Sequence, residues 1–509
     1  MKRNIHIGII GINPGWEKIL DQIGASWSRI TSIRTVDVKS YSCIVAVRNL
    51  EREEMKSVTH YLDAGGAVVD TTGQFLKKTP SARKVKTITP ETDDPYFNHI
   101  REIRVDDTAL FHPTSKMAGG TVWLDHDRSN RLAFSGLPYR VLTEHHPLKP
   151  TQFTSADLPA VIERTSTHSS GAWVDLTLKL LIELHSRSGM PFVHKWWMPE
   201  SDHQTATFRV DTDYGSEQSI HQTASVLDEF GVSSTFFLHT EAHENSLSQF
   251  EDIKNHEISL HGYRHSEFKT KEQYVSDIRH GLNLLKDHGM DPQGYAAPYG
   301  YWSPELASAL REFNFQYSSE FGYDYDALPS TPQSSGTLQL PVHPISIGSF
   351  SRFNFTEEMI EAYFLEWIRI CQLQRKPIHL FYHPNDGHAD VLRSIFKQAD
   401  THSTKWLTYS QWANWWKKRS SHLLNPVFDT ETGNLALNQT GEIPAAVHHD
   451  NKMLCTTGSG NIDLDDRRFS VYISPEWIEW INRRRNGRKL SLFRMKKDQL
   501  MTSLWRNRS

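Results

Sequence analysis

Five side chains of this 509-residue chain have the types and positions that metal-assisted hydrolysis needs. Asp211 and Asp213 stand two apart in TFRVDTDYG, His261 and His265 four apart in HGYRH, and His383 near the end of HLFYHP. Each segment closes a run that reads as a β-strand, and strand ends are where an α/β barrel collects its chemistry. One carboxylate with two imidazoles makes an open site for Zn²⁺ or a similar divalent ion. A second carboxylate and a third histidine are then left for acid–base work. Two positions apart on a strand, Asp211 and Asp213 would project from one face; the bland alternative is a charged strand end capping the next helix. The HxxxH pair would grip one ion if the segment turned helical after the strand. Among 27 histidines that spacing alone says little, but here it follows the apolar run EISL directly.

The elements that must position these residues follow from apolar patterning. From about residue 203 to 420, ATFRVDTD, SSTFFLHT, EISLHGYRH and PIHLFYHP read as strands. EQSIHQTASVLDEFG, KEQYVSDIRHGLNLLKDHG and EEMIEAYFLEWIRICQLQ read as the helices between them. This predicts an α/β fold, a βα barrel that is either complete or incomplete. Residues 1–80 show the same alternation (IHIGIIGI, WEKILDQIGASW, SCIVAVRN, EREEMKSVTHYLDAGG, AVVDTT), which argues for a doubly wound parallel sheet. Residues 80–160 are richer in turns and polar groups and read as the closing part of that N-terminal unit. SGAWVDLTLKLLIELHSRSG is a strong helix, with Ser170 at its start and Gly189 past its end. Beyond 421, GNLALN and RRFSVYI suggest a small β-rich module. The expected divisions are 1–195, 203–420, 421–482 and a basic amphipathic tail at 483–509, since one core rarely serves so long a chain.

Composition narrows the function. Hydrophobic residues at 38%, charged residues at 23% and a net charge of −4 describe a globular protein with no overall attraction to nucleic acid. Cys43, Cys371 and Cys455 are too few and too scattered for a disulfide framework or a thiolate zinc site. The start, MKRNIHIGIIGINPGW, has an apolar run that is short and broken by glycine, so it reads as a buried strand and not as a leader. With no long apolar run, a cytoplasmic location is expected. Gly8, Gly11 and Gly15 do not have dinucleotide-loop spacing, and Pro14 falls inside them, so a plain tight turn is expected.

Taken in order, these segments resemble the polysaccharide deacetylase family, carbohydrate esterases sharing the NodB homology domain, across roughly 205–410. VDTD resembles the first motif, which implies Asp211 as catalytic base and Asp213 as metal ligand. HEISLHGYRH resembles the second and implies His261 and His265 as the other ligands. AAPYG resembles the third, implying an oxyanion contact from the Tyr299 backbone N–H, with Pro298 beside it as a substrate-binding residue. HLFYHP resembles the last, implying His383 as general acid. The third motif usually begins with an arginine that orients the base. Ala296 stands there, leaving Arg209 or Arg264 to substitute. The fourth motif's acidic residue has candidates in SSEFGYDYD, with Glu320 and Asp324 as substrate-binding residues and Asp326 beside them. The N-terminal unit resembles a glutamine-amidotransferase-like or flavodoxin-like domain. Cys43 lies at a strand start and not on a nucleophile turn, so that unit is expected to be non-catalytic.

The resemblance implies a zinc-dependent hydrolase that removes an N-acetyl group from a sugar or glycan, in surface-polysaccharide assembly. Rival readings are a deformylase or cyclic-amide hydrolase of the same superfamily, and a non-catalytic glycan-binding protein that kept the barrel. His343 in LPVHP and His388 in NDGH read as structural and solvated. The tail carries ten Lys/Arg from Arg483 onward and one acid, Asp498. It reads either as solvated chain or as an amphipathic contact with anionic lipid at the inner membrane face.

Overall fold

A computed structural model describes residues 1–33, 36–88, 103–113, 121–125, 130–145, 147–153, 161–168, 170–253, 255–326, 328–351, 355–400 and 403–471. The basic tail expected at 483–509 lies outside the described residues. The chain is a mixed α/β protein built around a parallel sheet curled into a half barrel. Its strand order is Leu338–Gln339, Tyr317–Ser318, Gly294–Tyr295, Glu257–Leu260, Thr235–Leu238, Thr205–Asp211 and Ile378–Tyr382, and Lys405–Leu407 also pairs with Thr205–Asp211. Neighbours run parallel throughout, so all strands end on the same edge. Beyond the last short strand, His343 N–H donates to His379 O at 3.0 Å and brings the two ends of the sheet together.

The strands are apolar on the face covered by helices and mixed on the other, as parallel sheets buried on both sides require. In Thr205–Asp211, Ala206, Phe208 and Val210 enter the core shared with Ile220, Leu227 and Phe396. Thr207, Arg209 and Asp211 alternate to the opposite face and are also buried. The helices carry the start signals their sequences advertise. Ser216 caps Glu217–Glu229 through Ser219 N–H, and Thr270 and Gln273 form a capping box on Lys271–Asp287.

The N-terminal sheet has the order Trp27–Arg29, Ile7–Ile10, Cys43–Ala46, Ala67–Asp70, Leu132–Ser135, Val122–Leu124. Its first five strands are parallel and the edge strand is antiparallel. At the glycine-containing turn, the Asn13 side chain accepts from Gly15 N–H and Trp16 N–H and starts the Pro14–Ile23 helix. A Cβ on Gly15 would lie 1.8 Å from Tyr139 O, so that glycine permits a close backbone approach. Residues 80–160 are more strand-rich than their polarity implied. Ser81–Ile88 pairs with Ile103–Phe111, and Lys149–Phe153 with Val161–Thr165. Arg83, Lys84 and Lys86 of Ser81–Ile88 are exposed on both faces of the strand, which hides its alternation.

The C-terminal region forms two antiparallel sheets, and each recruits a strand from far upstream. Lys2–Asn4 pairs with Leu424–Asp429, and Phe192–Lys195 pairs with Ala445–His449. Ile5, Met190 and Val193 therefore share a core with Leu435, Val447 and Leu454. Arg419, fully buried, fastens this junction. Its guanidinium donates to the carbonyls of Trp196, Lys195, Gln22 and Ile23 at 2.7–3.0 Å, and burial pushes its pKa down to about 9. No helix among the described residues is long and apolar enough to cross a membrane.

Candidate metal centre and acid–base groups

Asp213, His261 and His265 converge where three parallel strands end. Their ligand-type atoms all lie within 4.8 Å of one another. His261 Nε2 is 3.3 Å and His265 Nε2 3.2 Å from Asp213 Oδ1, and His383 Nε2 is 3.8 Å from Asp213 Oδ2. The local conformations differ from the sequence expectation in two places. The strand stops at Asp211, and Asp213 follows in a left-handed conformation, φ 41°. The two carboxylates are therefore placed by a turn and not by strand alternation. The HGYRH segment is a loop, not a helix, because Gly262 takes φ +87°. Asp277 accepts from Tyr263 N–H and Arg264 N–H, each at 3.0 Å, and that clamp presents both histidines to one point.

The donor set fits a cation. His261 donates from Nδ1 to the Ala296 carbonyl at 2.8 Å, which in a neutral ring leaves the Nε2 lone pair to face Asp213 Oδ1. Asp213 Oδ1 is buried and accepts no hydrogen bond. An acceptor aimed at an acceptor is unfavourable unless positive charge lies between them. Two ligands each about 2.0–2.1 Å from a tetrahedral ion are about 3.3 Å apart, matching the nitrogen–oxygen separations found. Burial opposes ionisation of Asp213, but the neighbouring imidazoles of His265, His383 and His261 outweigh it and hold its carboxyl well below the usual range.

His239 was missed in the sequence reading. It is fully buried at the end of TFFL, with Nδ1 donating to Asp213 O at 3.1 Å and Nε2 accepting from His265 N–H at 3.1 Å. Burial first, then His265 and His261, lower its pKa to about 3. It stays neutral, a strut joining the backbones of two ligand-bearing residues. The signal that could have found it was the one that raised the value of His261, a histidine directly after an apolar strand.

Of the two arginines left as candidates by Ala296, Arg209 is the one that meets Asp211. Its Nε and Nη2 donate to Asp211 Oδ1 and Oδ2 at 2.5 and 2.7 Å, and Nη1 donates to Ser319 O at 2.7 Å. The guanidinium carbon is 5.0 Å from the Phe237 ring centroid and 5.8 Å from that of Phe381. Burial raises the Asp211 pKa, but Arg209, His261 and His383 outweigh it and hold the carboxyl below its ordinary value. Arg264, the other candidate, is exposed and lies 3.9 Å from Glu241.

His383 is oriented by Asp386, three residues on, with Nδ1 to Oδ2 at 3.2 Å. Burial lowers the His383 pKa; Asp386, Asp213 and Asp211 raise it further, to about 9. Gly348 lets Asp386 approach, since a Cβ there would lie 1.9 Å from Asp386 Oδ1. Asp386, which the sequence analysis did not single out, is thus the carboxylate paired with His383. Asp386→Asn is expected to lower kcat about 10–100-fold with bound metal unchanged, checked by steady-state kinetics beside metal analysis.

The other candidates divide. Tyr299 sits at φ 60° in the turn after Pro298, its ring edge-on to His265 with centroids 4.5 Å apart. Glu320 is 1% exposed and lies under that turn, Oε1 accepting from Ala297 N–H at 3.1 Å. Asp324 faces the N-terminal unit, 3.7 Å from Lys18, and Asp326 accepts from Gly171 N–H. His343 stacks on Trp367 and bonds Tyr363, while His388 pairs with Glu357 at the surface.

Burial raises the Glu320 pKa from 4.5 to about 7, against lowering contributions from Gln339, Ala297, Ser318 and Arg209. The unfolded chain ionises this group first, so its contribution makes stability fall as pH rises from 4.5 through about 7. Glu320→Gln is therefore expected to stabilise the chain by up to about 3 kcal/mol near about pH 8 and to have no effect near about pH 4. Denaturant unfolding at both pH values measures this.

Comparison with known proteins adds the following. No curated protein matches the chain. Among solved structures, a Mycobacterium smegmatis chain assigned as a polysaccharide deacetylase is 19% identical, covering 44% of this chain and 94% of its own, with a TM-score of 0.39. An allantoinase is 15% identical (43% and 92% covered, TM-score 0.38). A family 4 acetyl xylan esterase from Clostridium thermocellum, in complex with a cobalt ion, is 12% identical (42% and 91% covered, TM-score 0.32). Residues 202–318, which carry Asp211, Asp213, His261, His265 and Tyr299, match the family model described as Polysaccharide deacetylase.

Proposed function

We propose that the chain is a metal-dependent hydrolase that removes the acetyl group from an N-acetylated sugar or glycan. The observation that carries this reading is the convergence of a buried two-histidine, one-carboxylate donor set with an Arg-clamped aspartate and an Asp-paired histidine. A divalent ion held by Asp213, His261 and His265, most simply Zn²⁺, would polarise the amide carbonyl and acidify water there. Asp211, ionised and fixed by Arg209, accepts the proton of the attacking water. His383, kept protonated by its carboxylate neighbours, delivers a proton to the leaving nitrogen. The Tyr299 N–H, in its left-handed turn, is the donor offered to the developing oxyanion.

Acetate released from chitooligosaccharides by the metal-reconstituted chain tests the reading, with a chelated sample as control. Formate or ammonia from formylated or cyclic-amide substrates, with no acetate, would replace it by a different amidohydrolase. Metal binding without turnover of any of these would replace it by a glycan-binding role. Cytoplasmic placement, membrane contact through 483–509 and a role in surface-polysaccharide assembly belong to the same proposal. Liposome flotation of the full chain against one ending at Asn482 tests the membrane contact; equal flotation rejects it.

A further inference from the structure

The loop after the Tyr317–Ser318 strand faces two ways. At its start it meets the candidate site: Ser319 O receives Arg209 Nη1, and Glu320 receives Ala297 N–H. At Gly322 it presses on the turn bearing Tyr299, since a Cβ there would lie 2.7 Å from Gly300 O. From Phe321 onward it is held by residues from before position 195. Ser166 N–H donates to Phe321 O at 3.3 Å, Gly171 N–H to Asp326 at 3.0 Å, and Gln22 Nε2 to Leu328 O at 2.5 Å.

Lys18 is the centre of that grip. Its side chain is 8% exposed, with Nζ 3.7 Å from Asp324 Oδ2. Nζ also donates to Tyr323 Oη at 3.3 Å and Leu142 O at 3.1 Å, and it lies 4.7 Å from the Tyr323 ring centroid. Lys18 and Gln22 are one turn apart on the Pro14–Ile23 helix and so share a face. A buried ammonium is costly unless paired. Tyr323 and Asp324, which pair with Lys18, follow four and five residues after the Ser319 that receives Arg209.

We infer that Lys18 is a positioning residue for the hydrolytic site. Through Tyr323 and Asp324 it sets the loop whose Ser319 carbonyl orients Arg209, and through Arg209 the Asp211 carboxylate. The N-terminal unit, which supplies none of the reacting groups, thereby becomes part of the catalytic apparatus. This inference rests on the hydrolase reading for its kinetic arm alone.

The test uses the full chain carrying Lys18→Met, Lys18→Arg or Gln22→Ala. Lys18→Met is expected to lower kcat about 10-fold, with KM within about twofold and metal content unchanged, and Lys18→Arg to restore most of the loss. Hydrogen–deuterium exchange should quicken at amides 319–326 in Lys18→Met, and less so in Gln22→Ala. The Glu257–Leu260 strand should keep wild-type rates. Wild-type exchange in the loop with wild-type kcat overturns the inference, as does a kcat loss that Lys18→Arg does not recover. Should Lys18→Met fail to fold, Gln22→Ala decides: an unchanged loop overturns the inference. A wild-type chain that releases no acetate defeats the hydrolase reading, and the loop coupling is then judged from exchange alone.

Discussion

Replacing Arg209 by methionine is expected to destabilise the chain by about 3–5 kcal/mol and to lower kcat/KM a further 10–100-fold or so among molecules that remain folded. Arg209 is fully buried and Asp211 is 3% exposed, so removing the guanidinium strands a carboxylate in the interior. The methionine stem keeps the apolar volume between Phe237 and Phe381, so the loss reports the charge and not a cavity. Lysine should rescue little, since one ammonium cannot reproduce the two parallel bonds to Asp211 and the third to Ser319. Guanidinium unfolding and steady-state kinetics on the metal-loaded protein measure the two effects. Wild-type stability would mean that the Arg209–Asp211 pair contributes nothing net. Wild-type turnover would remove Arg209 from the alignment of the base.

His261→Ala and Asp213→Asn are expected to lose bound metal and activity together. The rate loss should be on the order of 10³-fold or more, because a Lewis acid supplies several kcal/mol of charge stabilisation that no other group here can replace. Activity need not be the sole readout. A metal that binds only the folded chain stabilises it by about 2.7 kcal/mol at a hundredfold excess over Kd. Added Zn²⁺ should therefore raise the melting temperature of the wild type and leave both variants unmoved. Full activity in metal-depleted His261→Ala would sink the proposed chemistry. A Zn²⁺ response in both variants equal to the wild type's would place the ion elsewhere. Asp213→Asn is the gentler change, since it keeps the shape and removes the charge that faces the His261 and His265 imidazoles.

What could be read from the chain before folding had two sources. Strand ends were legible because TFRVD, TFFL, EISL and IHLFY are short, nearly continuous apolar runs, and the residue after such a run falls on the functional edge of a parallel sheet. Residue chemistry was legible because carboxylate and imidazole pairs at fixed spacing are uncommon in such places. Both sources point to Asp211, Asp213, His261, His265 and His383. A βα barrel, whole or incomplete, follows from the alternation of those runs with amphipathic helices; that the sheet is a half barrel came from the structure.

Tertiary structure alone decided how the residues are held. Arg209 and Asp211 share a strand face in the sequence pattern, but nothing local says that Arg209 also reaches 110 residues on to Ser319. That contact depends on how the sheet curls. Asp386 as the partner of His383 depends on a turn that Gly348, from another segment, leaves room for. Asp324 looks like a cleft residue in sequence and is turned to Lys18 because the N-terminal helix docks there. The strands at 2–4 and 192–195 read as members of an N-terminal unit, yet they pair with strands beyond 421, since edge pairing is chosen by proximity after collapse and not by neighbours along the chain. The sequence by itself determined which groups could do chemistry and on which edge they lie. The packing of distant segments decided which of them are oriented, charged and buried, because those properties are set by neighbours that are remote in sequence.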